Sequence, residues 1–381
     1  MSTSNPVPSA GPVSSAGPVP SAPRELTSVW LVAEREIASK LRSKAFVIST
    51  LILFVAALAA IVIGGFAAQN AGGTKVAVTS ETAQVVEGIE GVETTDVADR
   101  AEAEALVTAG DVDAAIVPDA SATGPFDYVV IANDSPPNTL VLSLAELPQV
   151  VLLEPDDGNP ALRYFVALGF GIVFLLAASI FGGTIAQSVV EEKQTRVIEL
   201  LISAIPARTL LAGKVIGNTI LAMAQILGLA AIAIVGLIVT GQGELLAGLG
   251  APILWFAVFF LFGFILLAAL FAAAGAMVSR QEDIGSTTTP LTMLIMAPYF
   301  LVIFFNDNPT VLAIMSYVPF SAPVGMPMRL FLGEAQWWEP ILSLAILIAT
   351  CIAAIVVGAK IYENSLLRMG ARVKLREALA G

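Results

Sequence analysis

The sequence contains no histidine and a single cysteine, Cys351. Histidine is the commonest metal ligand and the usual general base near neutral pH, so its absence removes both roles. One cysteine can form neither an internal disulfide nor a metal cluster. We therefore expect no metal site and no catalytic residue in this chain, and an intramembrane enzyme is the least favoured class of function.

Charged side chains are scarce as well. Only 13% of the residues are charged and the mean hydropathy is +0.84, whereas about 25% of a soluble domain is charged. Six intervals without Asp, Glu, Lys or Arg are each long enough for the roughly 20 apolar residues of a membrane-crossing helix. They lie between Lys44 and Lys75, Arg163 and Glu191, Lys214 and Glu244, Glu244 and Arg280, Asp283 and Asp307, and Glu339 and Lys360. The sequence predicts a polytopic α-helical membrane protein with six transmembrane helices, the first at residues 46–68 and five more within residues 162–361.

A seventh charge-free interval, between Asp307 and Arg329, differs because it contains four prolines. Proline removes a backbone donor and breaks helices. Exposed to lipid, such a backbone would leave polar groups without partners. For residues 307–338 we therefore expect short helices or a re-entrant hairpin instead of a seventh span.

The basic residues predict the orientation of the six spans. If the N-terminus is cytoplasmic, only four of the 19 Lys and Arg residues face the exterior: Lys75, Arg100, Arg163 and Arg329. Lys and Arg concentrate on the cytoplasmic side of membrane proteins. Both termini, including the basic tail at residues 362–381, are therefore expected in the cytoplasm.

Two segments precede the first span. Residues 1–23 contain "SAGPV" twice and little besides Ser, Pro, Ala, Gly and Val, which predicts a disordered tail. Residues 24–45 carry apolar side chains at helical spacing among basic ones. This pattern favours an amphipathic elbow helix on the inner membrane surface, and the alternative is a solvated helix end.

The loop at residues 69–161 carries most of the net charge of −12, with 17 acidic residues against Lys75 and Arg100. "KVAVTS" and "DAAIVP" read as strands, "DYVVIANDSPP" reads as a third strand followed by a turn, and "DVADRAEAEALVTAGDV" reads as a short helix that ends near Gly110. We expect a small acidic α/β domain on the exterior. The charge is not a nucleic-acid-binding signal.

A cluster of mixed charge, "SVVEEKQTRVIELLISAIPARTLLAGK" at residues 188–214, lies between two apolar runs. Ser188 and Glu191 have the spacing of a capping box, and Glu192 and Arg196 are a favourable i, i+4 pair. These features predict an amphipathic helix over residues 188–202 that ends before Pro206. It is either a solvated loop that enforces orientation or a helix that docks on a soluble partner.

The same residues carry a family resemblance. "EEKQTRVIELLISAIPARTLLAGKVIG" resembles the signature of ABC-2 exporter permeases, particularly their sodium-exporter-like (NatB-type) branch. "LVAEREIASKLRSKAFVIST" is similar to the N-terminal segment of that branch, and so is the order of one span, a large exterior domain and five spans. The resemblance covers nearly the whole chain except residues 1–23. It implies the permease subunit of an ATP-driven exporter in a bacterial plasma membrane.

The resemblance also implies roles for particular residues. The implied ATPase-coupling residues are Glu191, Glu192, Lys193, Arg196 and Glu199. The implied elbow-helix residues are Glu34, Arg35 and Glu36. The proline-rich segment would form the exterior re-entrant helices before the last span.

The chain has no phosphate-binding loop of its own. G-x-x-x-x-G-K-[ST] is required, but "RTLLAGKV" has Arg208 in place of the first Gly and Val215 in place of Ser or Thr. ATP and Mg²⁺ are therefore expected in a partner, an ATP-binding cassette subunit. The resemblance also implies a second permease copy, identical or not.

Polar residues within the predicted spans mark a possible substrate path, because polar groups are costly in lipid. The candidates are Gln187, Asn218, Gln225, Thr287 and Thr288. Threonine hydroxyls also bond to their own helix, so a local role is the alternative. No carboxylate is expected inside a span, which argues against ion-coupled transport. The competing function is a non-transporting membrane anchor or receptor whose acidic exterior domain binds a ligand.

Overall fold

A computed structural model describes residues 25–70, 74–87, 89, 91–119, 126–133, 137–144, 160–195, 197–368 and 373–380. The tail predicted at residues 1–23 and Arg196 lie outside these residues. The chain divides into two compact units. A helical unit contains residues 1–51, 160–228 and 250–381, and a second unit contains residues 52–159 and 229–249.

The described helices and strands follow one another in this order: α1 (Glu25–Arg42), α2 (Lys44–Asn70), β1 (Thr74–Val78), α3 (Ala83–Val86), β2 (Val92–Asp96), α4 (Arg100–Ala109), β3 (Ala114–Pro118), β4 (Tyr128–Ile131), α5 (Asn138–Leu144), α6 (Pro160–Gln194), α7 (Val197–Ala204), α8 (Ala207–Val239), α9 (Gly243–Ala276), α10 (Ile284–Phe304), α11 (Pro309–Tyr317), α12 (Ala322–Phe331), α13 (Glu339–Leu366) and α14 (Leu375–Ala380). Of these, α2, α6, α8, α9, α10 and α13 are long and apolar enough to cross a membrane. The predicted number of six spans is confirmed for the described part of the chain.

Aromatic rings fill the core of the helical unit where α6 and α9 meet. Phe174 and Phe181 on α6 meet Phe260 and Phe264 on α9 edge to face, with centroids 5.9 and 5.8 Å apart. Edge-to-face packing is a preferred arrangement of aromatic rings. The spacing of seven residues on one helix and four on the other places both pairs on facing helix surfaces.

The proline-rich segment forms two short helices, α11 and α12, instead of a seventh span. Asn308 caps α11, because its Oδ1 accepts hydrogen bonds from the backbone N–H groups of Thr310 and Val311, both at 3.1 Å. Pro309 occupies the first turn, where a helix needs no proline N–H donor.

The second unit contains an α/β domain with a four-stranded sheet in the order β2-β1-β3-β4. β1 is parallel to both β2 and β3, whereas β3 and β4 are antiparallel. Apolar clusters cover both faces of the sheet. Asp99 caps the start of α4, because its side chain accepts a hydrogen bond from the N–H of Glu102 at 2.9 Å. Gly110, with φ +80°, caps the end of this helix.

The predicted start of a helix at Ser188 is wrong. α6 continues through this residue to Gln194, and a separate short helix, α7, begins at Val197. The apolar face continues through the fully buried Val189 and Val190, so the helix has no reason to stop at residue 188. Ser188 therefore lies inside a helix, where backbone N–H groups are already bonded, and it caps nothing.

Candidate functional site

Three helices meet at a cluster of buried charges near the end of α6. The ammonium of Lys214 on α8 donates to Oε1 of Glu36 on α1 at 2.8 Å and to the hydroxyl of Ser188 on α6 at 2.7 Å. It also lies 3.0 Å from Oε2 of Glu192 on α6. Arg35 on α1 donates to Oε1 of Glu192. We name these five residues the Lys214 cluster.

Burial makes the pairing in this cluster essential. Lys214 is fully buried, and the exposed fractions of Glu36 and Glu192 are 6% and 8%. A buried charge is costly unless it is paired and hydrogen-bonded. Two carboxylates face two cations here, so the charges balance. These ion pairs join α1, α6 and α8. If one of the three helices moved away, at least one buried charge would lose its partner.

Two glycines on α8 allow α1 to approach closely enough for these contacts. A Cβ atom at Gly217 would lie 2.8 Å from the carbonyl oxygen of Ala33, and one at Gly213 would lie 2.9 Å from that of Val29. Carbon atoms do not approach oxygen so closely without displacement. Gly213 and Gly217 flank Lys214 on the same face of the helix, so the close approach and the ion pair share one surface.

Lys193 is also fully buried but contacts no carboxylate among the described residues. Its ammonium donates to the carbonyl oxygens of Ala276 at 2.8 Å and Ser365 at 2.9 Å. These residues lie in the last turns of α9 and α13. The last carbonyls of a helix lack partners within it and carry partial negative charge, so a cation is stabilised there. Lys193 thus joins α6 to α9 and α13.

The neighbouring residues Glu192 and Lys193 therefore contact different helices. Successive side chains on a helix with 3.6 residues per turn point about 100° apart. Glu192 faces α1 and α8, whereas Lys193 faces α9 and α13. Side chains from a single turn of α6 therefore contact four other helices.

The remaining predicted coupling and elbow residues are mostly exposed. Glu191 is exposed and accepts hydrogen bonds from Gln187 at 3.0 Å and Gln281 at 3.3 Å. Glu199 on α7 and Glu34 on α1 are exposed. Arg196 lies outside the described residues. The predicted set is thus divided: Glu36, Glu192 and Lys193 are buried, Arg35 is half-exposed, and the others that the structure describes face outward.

Four of the five predicted substrate-path residues donate hydrogen bonds within their own helices. Gln187 donates to Glu191 on its own helix, and the amide nitrogen of Asn218 donates to the carbonyl of Lys214 at 2.9 Å. Thr287 and Thr288 both donate to the carbonyl of Ile284 at 3.0 Å. Gln225 is buried. Within the described residues no hydrogen bond joins any two of these five side chains. α6 extends past the predicted span and includes Glu191 and the buried Glu192 near its C-terminal end.

A second, partly buried ion pair lies near the start of α6 and α13. Arg329 on α12 donates to Oε2 of Glu339 at 2.8 Å, to the carbonyl of Glu334 at 3.1 Å and to the hydroxyl of Ser316 at 3.1 Å. Arg163 on α6 lies 3.6 Å from the carboxylate of Glu334. These contacts join α6, α11, α12 and α13.

Comparisons with known proteins identify the family. The model of the family described as ABC-2 family transporter protein matches residues 44–360. The uncharacterized protein YhaP of Bacillus subtilis is 27% identical over 236 residues, which cover 58% of this chain and 56% of the relative. The uncharacterized protein MJ1024 of Methanocaldococcus jannaschii is 26% identical over 220 residues, which cover 57% and 54%. The chain thus spans about half the length of these relatives, as the 56% and 54% show.

No solved structure matches the chain. The family match covers most of the 381 residues. Of the six described helices that are apolar enough to cross a membrane, it includes five in full and α13 as far as residue 360. The chain therefore belongs to the ABC-2 family of transporter proteins.

Proposed function

We propose that this protein is the permease subunit of an ATP-driven exporter of the NatB-type branch, in a bacterial plasma membrane with both termini in the cytoplasm. The resemblance of residues 188–214 to that branch supports the assignment, and the distribution of Lys and Arg supports the orientation. A separate ATP-binding cassette subunit binds ATP and Mg²⁺, and a second permease copy completes the transporter. The α/β domain then lies on the exterior.

The observation that carries this proposal is the position of α7, which directly follows the turn of α6 whose side chains contact four other helices. α7 follows Glu192 and Lys193 within a few residues, and Pro206 separates it from α8. A displacement of α7 by the ATPase would act on this turn first. The buried contacts of Glu192 and Lys193 then pass the displacement to α1, α8, α9 and α13.

The exposed face of α7 is suited to contact with a soluble partner. Leu200 is 74% exposed, and Glu199 beside it is exposed as well. An exposed apolar side chain beside a charged one is a common anchor of protein interfaces. In this proposal Glu191, Arg196, Glu199 and Leu200 contact the ATPase, while Glu192 and Lys193 transmit its motion within the permease.

The test is co-purification of the tagged full-length chain from its native host in mild detergent, with partners identified by mass spectrometry. We expect an ATP-hydrolysing subunit in constant ratio to the permease. Leu200→Arg should lower its recovery about tenfold, as expected for the loss of one interface anchor. Glu199→Lys should act in the same direction.

The matched control is Val141→Arg in the α/β domain, at a position that is 44% exposed. Val141→Arg introduces the same charge at an exposed apolar position, but this proposal places that position on the exterior side of the membrane. Recovery of the ATPase should therefore not change. Normal recovery with Leu200→Arg would remove α7 from the interface. Absence of any ATPase from the unmodified preparation would contradict the permease assignment itself.

The second candidate function is a non-transporting anchor whose acidic α/β domain binds a ligand. It is favoured by the separate apolar core on each face of the sheet, which gives this domain its own folded structure. In that case no ATPase co-purifies and α7 is dispensable.

A further inference from the structure

A groove of about 790 Å³ lies between α8, α9 and α13 in the helical unit. Its walls are apolar over most of their length. They include Leu211, Val215, Ile220, Ile265, Ile355 and Val356. Apart from Thr219, whose hydroxyl donates to the carbonyl of Val215 on its own helix, the polar lining residues lie where α8 begins and α13 ends: Arg208, Lys360, Glu363 and Asn364. The groove is therefore amphipathic along its axis.

The polar end carries a net positive charge. Arg208 binds Glu363 through two hydrogen bonds, at 2.6 and 3.1 Å. Lys360 lies nearly one turn earlier on α13, is exposed, and forms no ion pair within the described part of the chain. The first two charges cancel, so the ammonium of Lys360 is available to an anion, and the amide of Asn364 lies on the same side of α13 at i+4.

The length of the groove matches one leaflet of a bilayer. The rise from Leu211 to Ile220, the apolar lining of α8, is about 14 Å at 1.5 Å per residue. Half of a hydrocarbon core of about 30 Å is about 15 Å. The apolar walls therefore extend over about the depth of one leaflet, and the charged end lies at the level of the headgroups.

We propose that this groove is a binding site for an anionic phospholipid, with an acyl chain along the apolar walls and the phosphate on Lys360. A zwitterionic lipid offers the same chain but no net negative charge to complement that lysine. A second copy of the chain fits less well. Because twofold contacts pair a surface patch with itself, a contact centred on this groove would bring two copies of Lys360 together. The site goes beyond the proposed function and requires no ATPase.

The test is native mass spectrometry of the full-length chain in detergent, with phosphatidylglycerol or phosphatidylcholine of identical acyl chains added in turn. We expect phosphatidylglycerol to remain bound in preference. Lys360→Gln should reduce that preference about fivefold, since one lysine near anionic lipid contributes about 1 kcal/mol. Lys360→Arg should retain it. Ile216→Trp, which narrows the groove, should weaken binding of both lipids.

The control is Lys374→Gln, which removes an exposed basic residue that does not line the groove. It should leave the preference unchanged. Equal binding of the two lipids by the unmodified chain, or an unchanged preference in Lys360→Gln, would overturn the proposal. Cross-linking between two copies at Ile220→Cys, in a background in which Cys351→Ser removes the only native thiol, would instead assign the groove to a second copy.

Discussion

The ammonium of Lys214 lies 2.8 Å from Oε1 of Glu36, and both side chains are buried. The pair joins the helix before the first span to the helix that forms the third. Glu192, on the helix of the second span, lies close to the same Lys214 ammonium. The contact between these two residues is thus the point at which three parts of the helical unit depend on one another.

Replacement of Lys214 should therefore be strongly destabilising. Lys214→Met leaves two buried carboxylates with only the charge of Arg35, and loss of one partner of a buried pair costs about 3–5 kcal/mol. We expect a clearly lower temperature of thermal unfolding in detergent. Lys374→Met, which removes an exposed lysine, should leave that temperature nearly unchanged. Equal stability of the two variants would show that the cluster contributes little.

Replacement of Lys193 should loosen the ends of two helices specifically. Lys193→Met removes the donor to Ala276 and Ser365, and a hydrogen bond from a charged group contributes about 1.5–3 kcal/mol. Hydrogen exchange should become faster at residues 274–278 and 363–368 than elsewhere in the helical unit. Lys193→Gln keeps an uncharged donor, so its exchange rates at these residues should lie between those of the unmodified protein and those of Lys193→Met. A uniform increase in exchange across all spans would contradict the capping role.

A methyl group at Gly217 should separate α1 from α8. Its Cβ would lie 2.8 Å from the carbonyl oxygen of Ala33 and 3.0 Å from Cβ of Glu36. Overpacking typically costs about 1–3 kcal/mol, so Gly217→Ala should unfold at a lower temperature. At Gly183 on α6 nothing lies within 4 Å of a new Cβ. Gly183→Ala should therefore be neutral or stabilising by about 0.5–1 kcal/mol, because alanine is the better helix former. If Gly217→Ala were more stable than Gly183→Ala, the close packing of α1 against α8 would be contradicted.

The pH dependence of stability should contain a contribution from Lys40 on α1. Burial lowers the pKa of Lys40 from its ordinary value of 10.5, although the carboxylates of Glu36 and Glu191 act in the opposite direction. Between the lowered pKa and 10.5 the unfolded chain binds more protons than the folded one, so the free energy of unfolding rises with pH in this window. Lys40→Met should show a smaller rise than the unmodified protein when thermal unfolding is followed up to pH 10.5. An identical rise would assign the effect to other groups.

Hydropathy made the six span helices predictable, since each needs only length and an absence of charge. Within the α/β domain, β1, β3, β4 and α4 were also predictable, because their apolar residues form short continuous runs or recur at helical spacing. β2 was missed. Its sequence, "VETTD", is largely polar and exposed, and it becomes a strand only because the backbone of β1 is available beside it.

The site was less predictable than the fold. The charges of residues 188–214 suggested one exposed amphipathic helix, but Glu192 and Lys193 are buried against partners that lie far away in the sequence. Lys214 bonds to Glu36 across 178 residues, and Lys193 bonds to Ser365 across 172. No local spacing encodes such contacts. The glycines at 213 and 217, which flank Lys214, were the available signal of a close helix approach.

The separation of Glu36 from Lys214 also has a consequence for how the protein is made. Glu36 leaves the ribosome 178 residues before its buried partner. At about 5–20 residues per second, this interval lasts roughly 10–35 s. During that time the first span can already be inserted, while the charges of α1 remain in water or among lipid headgroups. α1 can therefore reach its final position only after Lys214 has been made, so this part of the helical unit cannot be completed before more than half of the chain has been synthesised.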